Sequence, residues 1–258
     1  RLLPDEALQA LGLWWSRNTA KFTDGTPGAH TVRYTPSRWA QIIPWPSALT
    51  STSHAGDAEI SRAQVTSIVV DALRREAFRE ALVATYVWGK GKRGSPGGSG
   101  PASLQKILTA EQKILTDEDL DASLARAVTA LSKHGAQAAY AGLQGRVPEF
   151  GPSFYTKFLY FVGKTVPSST GPQPLVLDRV LARRLRSLAQ TVGRETGHDP
   201  DGSIANWVWR DGNWSAHRYA VYLSFMQAAA GQAAATGTWP SDASPDLLEY
   251  ALYSSSWT

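Results

Sequence analysis

Apolar side chains recur at steps of three and four residues along most of the chain, the spacing that places them on one face of a helix. The pattern is strongest between Glu59 and Gly89, where it predicts one long helix that breaks near Arg75. The apolar positions of this segment are Ile60, Val65, Ile68, Val69, Leu73, Phe78, Leu82 and Tyr86. The same spacing predicts further helices over residues 3–18, 103–110, 116–135, 136–145, 152–163, 178–197, 214–235 and 244–256.

Residues at the ends of these segments support the helix assignments. Thr116 and Ser244 suit the capping position, because a side-chain oxygen there accepts from the free N–H groups of the first turn. Pro4 and Pro245 suit the start of a helix, since proline lacks the N–H that is unpaired there. Gly135 suits the end of the helix that precedes it.

The segment from Lys21 to Gly56 breaks the helical pattern. It is rich in Gly, Pro, Ser and Thr, a composition typical of irregular chain that wraps over a core. Nowhere do strands alternate with helices. We therefore predict an all-α (mostly) fold, with only small irregular β pieces in the N-terminal part.

The amino-acid composition excludes several kinds of catalytic and metal-binding site. The chain has no cysteine, which excludes disulfides, thiol catalysis, thiolate zinc sites and iron–sulfur clusters. Its five histidines are scattered without ligand spacing, so we expect no metal site. No run approaches the roughly 20 apolar residues of a membrane span, and the first residues lack a signal pattern. We expect a soluble cytoplasmic protein.

The net charge of +4 and the pI of about 9.3 favour an anionic partner such as nucleic acid, although a basic soluble protein with no such partner has the same composition. Ten tryptophans are many, and tryptophan stacks well on bases. A Gly-rich stretch from Gly89 to Gly100 carries Lys90, Lys92 and Arg93. It fits either a solvated linker or a loop placed close to a backbone or groove.

The segment from Gly145 to Gly163 combines a Pro/Gly turn with an aromatic helix. Pro148 and Gly151 fix the turn, and Pro152 suits the first helical position. The free N–H groups at the start of this second helix, together with its positive dipole end, form an anion site. Such a hairpin can hold a DNA phosphate without reading sequence.

Two ionisable residues follow this turn. Lys157 falls on the less apolar side of the aromatic helix, where a lysine is commonly a solvated surface residue. Asp178 opens the helix that begins after "PQPLVL". It fits a simple N-cap or a carboxylate held at a helix start and directed into a cleft, and the two roles are compatible.

The order of hairpin, aromatic helix, loop and "VLD" resembles the helix-hairpin-helix DNA glycosylase superfamily, and within it the bacterial branch with an 8-oxoguanine-glycosylase fold. The superfamily's hairpin pattern L-P-G-V-G corresponds here to Val147-Pro148-Glu149-Phe150-Gly151, and its aspartate to Asp178. The resemblance implies a two-lobed helical fold, with an N-terminal helix and irregular wrap over 1–59 and a glycosylase core over 60–258. In that core the hairpin spans 144–163 and the aspartate helix 178–192.

The chain departs from the superfamily at two positions. Bifunctional members carry a nucleophilic lysine two residues after the last hairpin glycine, where this chain has Ser153. Without that amine no Schiff base forms there, so the resemblance implies hydrolysis without a strand-cleaving lyase step. Lys157, one turn further on, would face the base pocket and bond the flipped base or, as the alternative, reach the sugar. Glu149 replaces a hairpin glycine and is expected to turn away from the phosphate.

The resemblance also implies a set of site residues. The catalytic candidates are Asp178 and Lys157. The DNA-binding candidates are Arg146, Val147, Phe150, Gly151, Ser153 and Arg179, with Arg183 as a further phosphate contact. The base-pocket candidates are Ser153, Lys157, Trp207, Trp209, Trp214 and Tyr219, and core packing is the alternative for each aromatic ring. The candidates for a loop inserted into the duplex are Trp88, Lys90 and Lys92.

The implied partner is double-stranded DNA with a modified base, bound by a monomer in the bacterial cytoplasm. The implied substrates are an oxidised base such as 8-oxoguanine or, in anti-phage relatives, glucosylated hydroxymethylcytosine. No cofactor is expected, apart from a monovalent cation at the hairpin carbonyls. Two alternatives are a non-catalytic helix-hairpin-helix DNA-binding protein and a helical interaction protein that binds no nucleic acid.

Overall fold

The structure, a computed structural model, describes residues 1–92, 100–109 and 120–255, which form ten α-helices and one small sheet. The predicted, mostly all-α fold with small β pieces in the N-terminal part is confirmed. The helices are α1 (Asp5–Asn18), α2 (Arg62–Arg74), α3 (Phe78–Lys90), α4 (Gly100–Leu108), α5 (Leu120–Leu143), α6 (Pro152–Gly163), α7 (Arg179–Thr196), α8 (Ser203–Val208), α9 (Ala216–Ala234) and α10 (Pro245–Ser254).

The predicted break near Arg75 is confirmed, because α2 ends at Arg74 and α3 begins at Phe78. The predicted start of this segment is wrong. Ile60 lies in a strand, β2 (Ala58–Ser61), which pairs antiparallel with β1 (Thr31–Tyr34). Helix α2 begins only at Arg62, since Ser61 and Gln64 form a reciprocal capping box that fixes its first turn.

Helix α5 contains the break that was predicted between residues 135 and 136. Gly135 has φ 84° and ψ 179°, which no helix accommodates, and the chain is helical on both sides of it. A side chain at this position would collide with the Thr170 carbonyl oxygen, 2.6 Å from the added Cβ. The predicted cap at Thr116 and the charge at Arg93 lie outside the described residues.

Contacts divide the chain into two compact units. Unit 1 comprises Arg1–Pro27 and Leu175–Thr258, and unit 2 comprises Gly28–Pro174. The family-based division at residue 59 stays a prediction.

Unit 2 is built around α3, whose residues from Ala81 to Trp88 are all buried. Helix α3 packs against α2, α4, α5 and α6, and against β1. Helix α6 is buried from Tyr155 to Gly163, so its aromatic residues lie in this core rather than on one face of an exposed helix. The close packing of α3 and α6 determines where the side chains around the predicted hairpin lie.

Unit 1 contains α1 and α7 to α10, and α10 packs against α1, α7 and α9. An aromatic cluster joins the N-terminal segment to the rest of the unit: Trp14 stacks on Phe22 at 5.7 Å between ring centroids and contacts Trp239 and Tyr250. Ser244 precedes α10 as predicted, but its hydroxyl donates to the Gly25 carbonyl instead of capping the helix.

Candidate functional site

The turn 144–151 joins α5 to α6 in unit 2. Its backbone bonds are local: Phe150 N–H donates to Val147 C=O at 3.3 Å, and Gly151 N–H to Glu149 C=O at 3.1 Å. Two residues are left-handed, Gly145 with φ 69° and Glu149 with φ 63°. Glu149 occupies the position where the superfamily pattern has glycine, and it adopts the backbone conformation that glycine accommodates without strain.

The start of α6 is open. Gly151 is the extended N-cap residue and Pro152 the first helical residue, as predicted. The Ser153 N–H has no acceptor within the described part of the chain. No heavy atom lies within 4 Å of a Cβ placed on Gly151, so a ligand atom has room to approach the backbone there.

The remaining predicted DNA-binding residues of the turn differ in their exposure to solvent. The side chains of Val147 and Phe150 are buried, and the Phe150 ring packs edge-on against Tyr155 at 5.8 Å. Burial leaves these two residues only their backbone groups for a contact with DNA. Arg146 is exposed and forms no ion pair within the described ranges.

Lys157 is not a solvated surface residue. Its side chain is only 6% exposed, and its Nζ donates to the Ser153 carbonyl oxygen at 2.9 Å, one turn back along α6. The aliphatic part of the side chain runs over Gly89, where an added Cβ would lie 2.6 Å from Lys157 Cδ. Gly89 therefore makes room for the lysine side chain between α3 and α6.

Phe154 lies in α6 between the predicted base-pocket residues Ser153 and Lys157, and its ring contacts α3. Its ring stacks on Tyr86 with 4.1 Å between centroids and 18° between planes. Lys157 Nζ lies 5.5 Å from the Phe154 centroid, and Lys90 Nζ lies 5.2 Å from it. Burial raises the pKa of Tyr86 to about 12. The structure thus places Lys90 and Lys157 near the same ring, although the resemblance implied that Lys90 belongs to a loop inserted into the duplex.

The three residues expected in a duplex-inserting loop do not share one environment. Trp88 is 5% exposed, packs edge-on against Phe161 at 5.1 Å and lies under the Arg62 guanidinium at 5.0 Å. Its indole N–H is buried and has no partner among the described residues. Lys92 pairs with Asp57 at 2.6 Å. An inserting role for Trp88 would require its ring to leave the core.

In unit 1, Asp178 is the N-cap residue of α7. Its backbone is extended, and its Oδ1 accepts from the Leu181 N–H at 3.0 Å. The carboxylate is half-buried, while the next residue, Arg179, is exposed. Burial and, after it, the negative charge of Asp178 raise the pKa of Tyr253. The predicted cap is confirmed, and it fixes the carboxylate at the positive end of α7.

The segment Leu175–Leu177 in front of Asp178 is held on both sides by buried side chains. The Tyr219 hydroxyl donates to the Leu175 carbonyl at 2.8 Å and accepts from the Leu175 N–H at 3.2 Å. The Tyr222 hydroxyl donates to the Val176 carbonyl at 2.6 Å, and Glu249 accepts from the Val176 N–H at 3.3 Å. Sequence reasoning missed Tyr222 and Glu249, because nothing local to α9 or α10 indicates these partners.

The four aromatic residues predicted to line the base pocket differ in their exposure to solvent. Tyr219 is fully buried and supports the Asp178 segment, and Trp209 and Trp214 are buried in unit 1. Trp207 is 63% exposed, with the Arg218 guanidinium 4.1 Å above its ring. Of the four, Trp207 is the ring that a base can reach without displacing the core.

Arg183, the additional phosphate candidate, pairs with Asp211 at 2.6 Å, and Arg186 joins the same carboxylate at 3.0 Å. Arg179 forms no ion pair with any described residue. Across residues 1–92, 100–109 and 120–255, no group of three or more histidine, aspartate or glutamate side chains is arranged to hold a metal ion. Over the same ranges, no helix has the length and apolar character needed to cross a membrane.

The mostly helical architecture is consistent with an all-α glycosylase fold. Residues 25–253 match the sequence model of the family described as "Putative 8-oxoguanine DNA glycosylase OGG-like protein", and the chain belongs to this family. Membership indicates an enzyme of the DNA glycosylase class and implies DNA as its partner. No curated protein and no solved structure gives a significant match to the chain.

Proposed function

We propose that the protein is a monofunctional DNA glycosylase, which flips a modified base out of duplex DNA and hydrolyses its N-glycosidic bond. The observation that carries the proposal is Asp178, a half-buried carboxylate fixed at the start of α7 by its bond to the Leu181 N–H. Family membership supplies the class of enzyme, and Asp178 supplies a group with the right charge for its reaction.

The turn 144–151 with its two helices acts as a helix-hairpin-helix grip on one DNA phosphate. The support is the unpaired Ser153 N–H, the open space over Gly151 and the positive end of α6. Arg146 and Arg179, both exposed, add attraction for the backbone. These contacts hold the duplex without reading its sequence.

In the reaction, the base leaves with the electron pair of the glycosidic bond, and the sugar gains oxocarbenium character. The Asp178 carboxylate stabilises that positive charge. A water molecule attacks the anomeric carbon and passes its proton to Asp178, which leaves an abasic sugar and a free base. Flipping is required because the bond to be broken is not accessible within the base stack.

Ser153 and Lys157 support the proposal that the enzyme has no lyase step. Position 153 has no amine, and the Lys157 amine donates to the Ser153 carbonyl within α6. We therefore assign Lys157 to contact with the flipped base. This assignment is tested by adding borohydride while the protein reacts with a duplex that carries an excisable base, and by looking for a covalent protein–DNA adduct. We expect no trapped adduct, whereas an adduct that Lys157→Ala abolishes would establish a lyase.

The substrate we propose is a damaged base of the 8-oxoguanine kind or a hypermodified base such as the glucosylated hydroxymethylcytosine of phage DNA. The first would place the enzyme in base repair, the second in defence against phage, and both in the bacterial cytoplasm. The exposed Trp207 ring is the described aromatic surface best suited to stacking on such a base.

The deciding experiment is mass spectrometry of bases released from synthetic duplexes with single modified bases and from phage genomes with and without modification. We expect one class of modified base in the soluble fraction and an abasic site in the DNA. Salt-dependent DNA binding without release of any base would instead support a non-catalytic DNA-binding protein. Absence of DNA binding would favour a helical interaction protein.

A further inference from the structure

An exposed tryptophan and an arginine form a pair on the surface of unit 1. Trp207, on α8, is 63% exposed, and the guanidinium of Arg218, in the first turn of α9, lies 4.1 Å from its ring centroid. Because the guanidinium covers one face of the indole, the exposed area belongs to the other face and the edges. By contrast, Trp209 and Trp214 of the same stretch of chain are buried. We call Trp207 and Arg218 the Trp–Arg pair.

The charge near the Trp–Arg pair is positive. Arg218 forms no ion pair with any residue that the structure describes, and the same holds for the exposed Arg210. Asp211 is the acidic residue nearest to both in the sequence, but it is bound by Arg183 at 2.6 Å and by Arg186 at 3.0 Å. Arginines whose charge is not balanced by a carboxylate attract phosphate, so this surface is suited to an anionic partner.

We propose that the Trp–Arg pair binds an unpaired nucleotide of DNA, whether or not its base is modified. The base stacks on the open face of Trp207, and the guanidinium of Arg218 contacts a neighbouring phosphate. Such stacking tolerates every base, because each base has a π-face. A base displaced from a duplex is one such nucleotide. The inference goes beyond the proposed function, since it gives unit 1 an affinity for single-stranded DNA that requires no excision.

A nucleotide matches both members of the Trp–Arg pair. It supplies a flat ring for the indole and a phosphate for the arginine. Arg218 also holds the indole in one orientation, which lowers the entropy that stacking costs. An apolar protein surface is the alternative occupant. It would use Ile204, which is 57% exposed one turn before Trp207 on α8, as much as the ring, and it would leave the arginine charges unmatched.

The experiment measures the affinity of the protein for a short single-stranded oligomer of thymidine by fluorescence anisotropy. A second oligomer of the same length carries tetrahydrofuran in place of every nucleoside, so it keeps the phosphates but has no base to stack. The test variants are Trp207→Ala, Trp207→Phe and Arg218→Gln. The controls are Ile204→Ala, which removes an exposed apolar side chain from the same helix, and Arg194→Gln, which removes an exposed charge from the same unit.

For Trp207→Ala we expect affinity for the thymidine oligomer to fall by about five-fold to a hundred-fold, the range that loss of one stacking ring produces. Its affinity for the base-free oligomer should not change, and Trp207→Phe should lie between Trp207→Ala and the wild type. Arg218→Gln should weaken binding of both oligomers and lower the slope of log affinity against log salt by about 0.7, the value for one single-strand phosphate. Both controls should match the wild type.

Three results would overturn the inference. One is wild-type affinity of Trp207→Ala for the thymidine oligomer, and another is an equal loss on both oligomers in this variant. The third is an equal loss in Ile204→Ala and Trp207→Ala, which would identify an apolar docking surface. Thermal unfolding checks that Trp207→Ala is folded, as expected for a change at an exposed ring. If it does not fold, wild-type affinities of Trp207→Phe and Arg218→Gln would overturn the inference.

Base excision is measured separately, so that the two proposals fail independently. A wild-type protein that releases a modified base from duplex DNA keeps the proposed function, whatever the single-stranded oligomers show. A wild-type protein that releases no base, but loses affinity for the thymidine oligomer in Trp207→Ala, would contradict the proposed function and support the inference.

Discussion

At the scale of single residues, the Asp178 carboxylate caps α7, and we propose that the same group takes part in the reaction. One oxygen bonds to the Leu181 N–H and thereby fixes the position of the group at the start of α7. The carboxylate therefore lies at the positive end of the α7 dipole. A flexible surface aspartate would lose this alignment, so the cap is a precondition for the proposed chemistry.

The first prediction concerns the tyrosines that support this aspartate. In Tyr219→Phe the Leu175 N–H and C=O lose their hydroxyl partner in a buried place, which should lower the free energy of unfolding by about 1–3 kcal/mol. Excision should slow because the Asp178 segment loosens. Thermal unfolding and single-turnover kinetics measure the two effects.

Because Tyr219 is fully buried, its hydroxyl is not expected to touch DNA. Affinity for duplex DNA should therefore be the same in Tyr219→Phe and in the wild type. If the variant loses DNA affinity but keeps its stability, Tyr219 lies in the base pocket as the resemblance implied, and the supporting role is wrong.

A second residue-scale prediction uses the two left-handed glutamates. Glu149 has φ 63° and Glu76 has φ 54°, so glycine at either position relieves backbone strain and should raise the free energy of unfolding by about 0.5–1 kcal/mol. Glu149→Gly also removes a negative charge from the turn that we propose to hold a phosphate. Glu76→Gly is the matched control for the backbone effect.

We expect Glu149→Gly, and not Glu76→Gly, to bind duplex DNA several-fold more tightly in a titration at low salt. Equal DNA affinities for the two variants and the wild type would place the phosphate contact away from the turn 144–151.

At the scale of elements, α5 depends on one glycine. Gly135→Ala forces an unsuitable φ of 84° on alanine and places its Cβ 2.6 Å from the Thr170 carbonyl oxygen, so unfolding should become easier by about 2 kcal/mol or more. Gly142 lies in the same helix with nothing within 4 Å of an added Cβ. Gly142→Ala should therefore be neutral or stabilising by up to about 1 kcal/mol. Chemical denaturation of both variants measures the difference.

The elements themselves were largely predictable from the sequence, because helix periodicity and capping are local signals. The break near Arg75, the start of α6 at Pro152 and the cap at Asp178 all follow from residues within one turn. The strand at Ile60 was missed because it depends on pairing with Val32, which lies far away in the sequence. A short segment whose apolar residues fit the spacing of the helix that follows is read from the sequence as part of that helix.

The site was less predictable for the same reason. The bond between Tyr219 and Leu175 joins residues 44 positions apart, and the cluster of Lys90 with Lys157 depends on the packing of α3 against α6. Sequence spacing placed Lys90 in a glycine-rich loop. Gly89 leaves room for the Lys157 side chain, and both Lys157 and Lys90 lie near the Phe154 ring.

At the scale of the whole molecule, the family match covers residues 25–253 and so includes most of unit 1 and all of unit 2. The turn 144–151 and Lys157 belong to unit 2, and Asp178 belongs to unit 1. The net charge of +4 supports the long-range attraction to DNA that such an enzyme needs.

The most direct test of the central claim is single-turnover excision by Asp178→Asn, measured beside its affinity for the same duplex. Asparagine keeps a capping oxygen but carries no charge. Asp201→Asn is the control, because Asp201 accepts one N–H bond, from Ser203, at the start of α8. We predict at least a hundred-fold slower excision, roughly the effect of removing one electrostatic stabiliser, with unchanged DNA affinity for Asp178→Asn, and wild-type behaviour for Asp201→Asn. Excision by Asp178→Asn at the wild-type rate would contradict the account.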